Sequence, residues 1–526
     1  MFNRFRLPAF VFVPAAVAFI FGLFVFAPQA ADADGGSVKT LRIIWTNDTH
    51  GYLKPLYHRE VGEDNYVEIA AEEGKLGGWA NLATLIKKYR GEMPGSTLLL
   101  DAGDTWHGTG VALFTKGAAV VKVMNALEYD AMTPGNVDFL YPKEEFLKRV
   151  KESNFPVLAA NMYDMEWGDP AMKRYMIKEV GGLKVAVIGM TYQWTAKTGN
   201  REYTKGWSFG LREDEITELI NTIRTKEKPD VLIMLSHMGY RVDRKYPTRV
   251  KGIDVIIGAH THDNVYTPPV IDGTIVVQAG SHGKFLGKLD LKIKDGKVAS
   301  FDHEIIRIVS NNIKPDPIIE KIIEAQYAPY KKRLERIIGE TKTMLYRRAT
   351  YESTMDNFIT DAYRDIYKSD IAFSPAWRFG LTIIPGEITV EDVYGMVPTQ
   401  ETVITFVLKG GNLKSILEAA VENVLAVDPY EQLGGDLIRF SGMEVKIDER
   451  KSYGKRITGL KIGGKPYDPD KKYTVVSANT QIHTAPTAEN VNDTGKVAVE
   501  ELVEYIEKVK QIAPELDGRV QIINTK

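Results

Sequence analysis

The feature that most constrains this chain is a series of short motifs, each placed just after an apolar run. They read Asn47-Asp48-Thr49-His50, Gly103-Asp104-Thr105-Trp106-His107-Gly108, Gly135-Asn136-Val137-Asp138, and Ser236-His237-Met238-Gly239 followed by Gly258-Ala259-His260-Thr261-His262. Runs such as Leu41-Arg42-Ile43-Ile44-Trp45, Ser96 to Leu100, Lys184 to Gly189, Val231 to Leu235 and Asp254 to Gly258 read as buried strands. Periodic segments between them, Gly77 to Arg90 and Lys116 to Leu127, read as helices. Alternating strands and helices imply an α/β layered domain. Open α/β sheets place their sites at the carboxyl ends of strands, where these motifs stand.

The motif residues are metal-ligand types. Asp48 and His50 are two apart and can leave one strand end toward one ion. Asp104 sits in a glycine-flanked turn, Asn136 offers a neutral oxygen, and His237, His260 and His262 supply imidazoles. The expected partition puts Asp48, His50 and His262 on one metal and Asn136, His237 and His260 on the other, with Asp104 bridging as the catalytic carboxylate. Water activated between two such ions is a nucleophile at neutral pH. His107 reads either as a support behind the ligands or as an ordinary buried histidine. His58, His282, His303 and His483 lack motif support, although the run Ala279-Gly280-Ser281-His282-Gly283 leaves a place near the site open to His282.

Composition narrows the chemistry. The 526 residues contain no cysteine, which excludes disulfides, thiol nucleophiles and thiolate ligands. A His/Asp/Asn ligand set suits manganese, iron or zinc. The formal net charge is −2 and no basic run occurs, so nucleic acid is not an expected partner. The first 33 residues, with Arg4 and Arg6, an apolar stretch from Leu7 to about Ala27 and then Ala31-Asp32-Ala33, read as an export signal. The same stretch could be a retained anchor, although Pro8 and Pro14 disfavour a spanning helix. With the signal cleaved, a periplasmic protein without stable membrane insertion is expected. No twin arginine is present, which favours export in the unfolded state.

A dimetal domain is expected over 39–312. Asp316 and Pro317 mark a connector helix over 313–339, which Pro329 kinks or breaks, and a second α/β domain covers 340–526.

These motifs resemble the 5′-nucleotidase branch of the calcineurin-like metallophosphoesterases. The resemblance continues in Asn357-Phe358-Ile359-Thr360-Asp361-Ala362 and in Pro385-Gly386-Glu387-Ile388-Thr389-Val390-Glu391-Asp392-Val393. It implies a four-layer α/β/β/α metallophosphatase-like domain followed by a C-terminal 5′-nucleotidase-type substrate domain. The third motif of that family usually carries a His and a later Asp as a catalytic dyad. Here Val137 and Leu140 stand at those positions. In place of the family's Asn-x-Gly-Gly-x-Arg run the chain has Ser374-Pro375-Ala376-Trp377-Arg378-Phe379-Gly380, and the late Gly-Gly-Asp-Gly-Tyr segment is missing after Tyr473-Thr474-Val475-Val476.

Together with Trp207-Ser208-Phe209-Gly210 and Gly434-Gly435-Asp436-Leu437-Ile438-Arg439, these departures resemble the SoxB thiosulfohydrolases. That resemblance implies a periplasmic enzyme with a manganese pair. It implies release of sulfate from a cysteine S-thiosulfonate on the swinging arm of a SoxYZ-type carrier protein. Arg378 is expected to grip the sulfonate oxygens, the alternative being an interdomain ion pair. Trp106, Tyr192 and Trp377 are expected to line a channel for the arm, the alternative being core aromatics. A periplasmic 5′-nucleotidase or cyclic phosphodiesterase of unusual specificity is the competing function.

Overall fold

Strand Lys39–Thr46 sends alternate side chains to opposite faces. Leu41, Ile43 and Trp45 join Leu98, Leu100, Val185, Val187, Ile233 and Leu235 in one buried layer. Ile44 and Leu99 turn the other way, among Leu82, Ile86, Val120 and Met124. Strand Leu183–Met190 behaves alike: Val185 and Val187 enter the shared layer, while Ala186 and Ile188 meet Ile216, Ile220, Val242 and Tyr246. Two sheets therefore lie face to face, with a helical layer on each outer side. This is the expected α/β/β/α order, in a computed structural model that describes residues 38–523.

The first sheet runs Lys297–Arg307, Phe285–Lys294, Lys39–Thr46, Thr97–Asp101, Ala131–Met132. The second runs Val270–Ile271, Thr274–Val277, Val255–Ile257, Val231–Ser236, Leu183–Met190, Tyr175–Val180. The strands that precede the motifs pair in parallel within each sheet. Parallel pairing brings their carboxyl ends to one edge, so the motif loops converge there.

The helices begin later than the periodicity alone suggests. They span Trp79–Glu92 and Ala118–Ala126, because Gly77, Gly78 and Gly117 hold positive φ angles of 74°, 90° and 82° that stop the helical backbone. The connector helix spans Pro317–Tyr327, with the Asp316 carboxylate accepting the amides of Ile318 and Ile319 at 3.1 Å. A short helix Lys331–Leu334 follows, and strand Ile337–Thr341 already begins within the stretch expected to be connector. The helix is no free tether: Ile319, Ile323 and Tyr327 are buried in the same cluster as Leu82 and Ile86.

The C-terminal half centres on a sheet ordered Arg439–Ser441, Ile371–Ser374, Lys472–Ser477, Thr402–Lys409, Glu489–Val497. Its strand Ile371–Ser374 ends at the loop carrying Trp377 and Arg378. One apolar cluster runs from Trp79 and Val111 through Leu334 and Ile338 to Tyr394 and Leu502, so the two halves share a core. The expected export signal lies outside the described residues. Among the described residues no helix is long and apolar enough to cross a membrane.

Leu235 lies fully buried between the two sheets. We expect Leu235→Ala to lower unfolding free energy by about 2–5 kcal/mol, read by chemical denaturation. A loss below about 0.5 kcal/mol would contradict a close-packed inter-sheet layer.

Candidate metal centre

Five of the expected ligands, Asp48, His50, Asp104, His260 and His262, hold positive φ angles between 49° and 73°. Non-glycine residues rarely adopt that region, and such strain gathers at functional sites. Two turns tolerate only glycine. A Cβ on Gly135 would stand 2.1 Å from Asp104 Oδ1, and one on Gly108 would stand 2.4 Å from the His50 carbonyl oxygen.

The strand ends bring the ligands into two adjoining sets. Asp48, His50 and His262 form one, and Asp104, His237 and His260 the other; within each, the donor atoms lie within 4.8 Å of one another. His262 Nε2 is 3.3 Å from Asp48 Oδ1 and 3.0 Å from His50 Nε2. His237 Nε2 is 3.1 Å from Asp104 Oδ2 and 3.8 Å from Asp48 Oδ1, so the sets adjoin. His237 Nδ1–H donates to the Ala102 carbonyl at 2.7 Å, which orients the ring and turns Nε2 toward the carboxylates. Among the described residues Asn136 Oδ1, His237 Nε2 and the Nδ1 atoms of His50 and His262 are buried without a hydrogen-bond partner. Buried polar atoms left without partners are costly. Of these, His237 Nε2 stands against the Asp104 and Asp48 carboxylates; with the neutral oxygen of Asn136 and the two clustered donor sets, a pair of divalent cations fits there.

Electrostatics agree with that fit. Burial holds His50 down to about 3 and drives His260 and His262 well below their ordinary value, so these rings are neutral and have a lone pair to give. Burial acts on His237 in the same direction, but the carboxylates of Asp104 and Asp48 outweigh it and push this ring up to about 9.

One support comes from the third motif itself. Asp138 accepts the backbone amides of Asp104, Thr105, Trp106 and Gly135 at 2.7–2.9 Å. It thereby fastens the second motif's turn to the third. Burial and the neighbouring Asp104 push its carboxyl up to about 7.

A cavity of about 350 Å³ opens over the ligands, lined by His50, Asp104, Asn136, His260 and His262 on one side and by Trp377, Arg378 and Phe379 on the other. Asp48 and His237 lie fully buried beneath it. Val137 and Leu140 also line it. Arg378 donates from Nε and Nη2 to the His260 carbonyl at 3.1 and 2.7 Å, and its Nη2 lies 3.0 Å from His260 Nε2. Among the described residues it makes no ion pair.

Two expected channel aromatics are corrected. Trp106 is fully enclosed in the core against Phe146, and Tyr192 is 1% exposed with its ring stacked 4.0 Å from His260. Neither lines the cavity, because the Trp106 ring is spent on the core and the Tyr192 ring on backing His260. Trp377 does line it. His107 is fully buried, against Tyr141, and its two ring nitrogens have no hydrogen-bond partner among the described residues. His282 lies beside the site, 5.4 and 5.5 Å from the rings of His50 and His262.

Two outcomes follow. His237→Ala should lose one of two bound divalent ions when metal content is measured; retention of both would exclude it as a ligand. The lowered histidines bind fewer protons folded than unfolded, so their contribution is full above about 6.5 and is lost as pH falls toward their folded values. His237 has the opposite sign, its contribution being lost as pH rises through about 9. Metal-free protein should therefore lose stability between about pH 6.5 and pH 5, whereas a flat denaturation profile there would contradict neutral buried rings.

Comparison with known proteins matches residues 41–264 to the calcineurin-like phosphoesterase model and residues 337–485 to the 5′-nucleotidase C-terminal domain model. UshA of Yersinia enterocolitica is 27% identical over 92% of this chain and 94% of its own length. Bovine 5′-nucleotidase is 29% identical over 91% of this chain and 90% of its own. Among solved structures, the sulfate thiohydrolase SoxB of Thermus thermophilus, in complex with glycerol, superimposes with a TM-score of 0.87 at 27% identity, covering 92% of this chain and 97% of that one. A 5′-nucleotidase precursor from Thermus thermophilus gives 0.81 at 26%, covering 93% and 100%. Matches over both halves, with two ligand sets at the strand ends of the first, identify the chain as a dimetal hydrolase of the 5′-nucleotidase family within the calcineurin-like metallophosphoesterase superfamily.

Proposed function

We propose that this protein is a SoxB-like thiosulfohydrolase. It would release sulfate from a cysteine S-thiosulfonate carried by a SoxYZ-type protein, in the periplasm, with manganese as the metal pair. The observation that carries this reading is the wall of the cavity at Val137 and Leu140, which lines the reaction site with two side chains unable to move a proton.

The chemistry makes such a wall tolerable. Water adds to the sulfonate sulfur, the sulfur–sulfur bond breaks, and sulfate and a cysteine persulfide leave. A persulfide is far more acidic than a sugar alcohol, so little general-acid help is required, whereas a nucleotidase must protonate or stabilise an alkoxide. When bound, the ions supply Lewis-acid polarisation of the sulfonate and activation of water. The chain's own residues orient the group. Ligation of His260 through either nitrogen removes the ring acceptor that Arg378 uses, since Nε2 is then a ligand or carries the proton. Arg378 keeps its bonds to the His260 carbonyl and has guanidinium protons left for two sulfonate oxygens.

The surroundings suit an extended arm better than a base. Trp377 and Phe379 stack on one another with centroids 5.1 Å apart, which leaves no slot between them for a nucleobase. A second cavity of about 460 Å³ shares Leu140, Thr198, Trp377 and Thr480 with the first and continues past Asn200, Tyr203 and Glu401. A peptide arm reaching the ligands can lie along this path.

The competing reading, a nucleotidase, has most of the named sequence relatives on its side. Paired assays on manganese-loaded protein separate the two. Sulfate release from a carrier S-thiosulfonate, abolished in Asp104→Asn, with a nucleotide panel untouched, is the expected result. Phosphate release with an inert carrier would overturn the proposal. In Val137→His/Leu140→Asp we expect no more than about a tenfold gain in phosphomonoesterase activity, below the usual contribution of a positioned acid–base group. A gain of a hundredfold or more would mark a nucleotidase scaffold lacking only its dyad.

A further inference from the structure

The loop 375–380 belongs to the C-terminal half but forms the roof of the cavity. Arg378 can act on a substrate only if that loop keeps a fixed height over the ligands. One fully buried residue of the catalytic half, His282, touches the floor through its backbone and the roof through its ring. The His282 backbone N–H donates to the carbonyl of Asp48 at 2.7 Å. Its ring Nε2 accepts the Gly380 N–H, two residues from Arg378, at 3.2 Å.

Resting on the reading of this cavity as the reaction site, we propose that His282 is a positioning residue that sets the roof loop, and with it Arg378, against the metal centre.

The ring is built to do this one thing. Because Nε2 accepts, the proton sits on Nδ1, which donates to Ser281 Oγ at 2.7 Å. His58 lies against the ring at 4.2 Å and Tyr52 at 5.2 Å. His58 Nδ1 in turn accepts from the fully buried Lys284 ammonium at 2.8 Å, and Lys284 is paired with Glu60. A buried ammonium held by a carboxylate resists displacement, so His58 and the ring stacked on it have little freedom. Gly380 has φ of +145°, a conformation that favours glycine and turns its amide toward the ring. The chain beyond is fastened next door: the Thr382 N–H donates to the Tyr57 carbonyl and its hydroxyl accepts the Arg59 N–H, each at 2.8 Å. His282 itself stands at φ +59°, so its strained backbone serves the Asp48 contact while its ring serves the roof.

The test uses full mature protein loaded with manganese and two substitutions. In His282→Asn the positive φ is tolerated and the bond to Asp48 kept, but no acceptor reaches Gly380. In His282→Gln the side-chain oxygen reaches the Nε2 position. Three quantities are read: metal content, hydrogen exchange of the peptide containing Gly380, and KM and kcat on whichever of the carrier S-thiosulfonate or a nucleotide is turned over. We expect His282→Asn to keep both ions, to exchange the Gly380 amide roughly three- to tenfold faster, and to raise KM by a similar factor with kcat changed less. His282→Gln should restore both exchange and KM. Unchanged exchange and KM in His282→Asn, loss of metal from it, or equal damage in both variants would overturn the proposal. Metal content and exchange need no substrate, so they decide the role of His282 even if neither substrate is turned over and the proposed function fails.

Discussion

The centre depends on one carboxylate that is not among the expected ligands. Asp138 collects four backbone amides, three from the turn that carries Asp104 and one from Gly135. A backbone turned out of the sheet at a strand end has no ladder to satisfy its N–H groups, and burial removes water as a partner. The carboxylate supplies those acceptors at one point. The Val137 amide then reaches Asp104 Oδ1 at 2.8 Å, which holds the ligand carboxylate from the side. With that turn fixed, Ala102 is placed to orient His237, and the second ligand set follows.

Much of the catalytic half was legible because its signals are local. Apolar runs of four to six residues followed by Asp, Asn or His say both where a strand ends and what stands there, and strand ends at Thr46, Asp101, Ser236 and Ile257 followed. The convergence of these loops was also readable, since parallel neighbours must deliver their loops to one edge.

The failures concern residues whose role is set by distant chain. Trp106 and Tyr192 sit next to ligand-bearing segments in sequence, which suggested channel walls, yet whether such a ring faces cavity or core depends on Phe146 and His260. The contact from Gly380 to His282 spans 98 residues and the four-amide grip of Asp138 up to 34, and neither leaves a spacing signature. Asp138 lies inside the third motif, and an acidic residue one place after Val137 is the sequence signal for a brace to the loop amides. What the connector helix packs against left no sign either, because a helix shows only its own period. The apolar face of Pro317–Tyr327 is in fact spent on the helices of the first half.

That shared core has a consequence for the order in which the molecule can come together. During synthesis the segment with every expected metal ligand, ending at His262, is complete well before Leu334, Tyr394 and Leu502 exist. Until then Val111, Leu113 and their neighbours have no cover on the face those residues later occupy. The half that could hold the ions thus emerges with a greasy flank exposed, and domains made first must wait for their partners. A truncated product stopping near residue 312 would keep the ligands yet lack the residues that cover this flank.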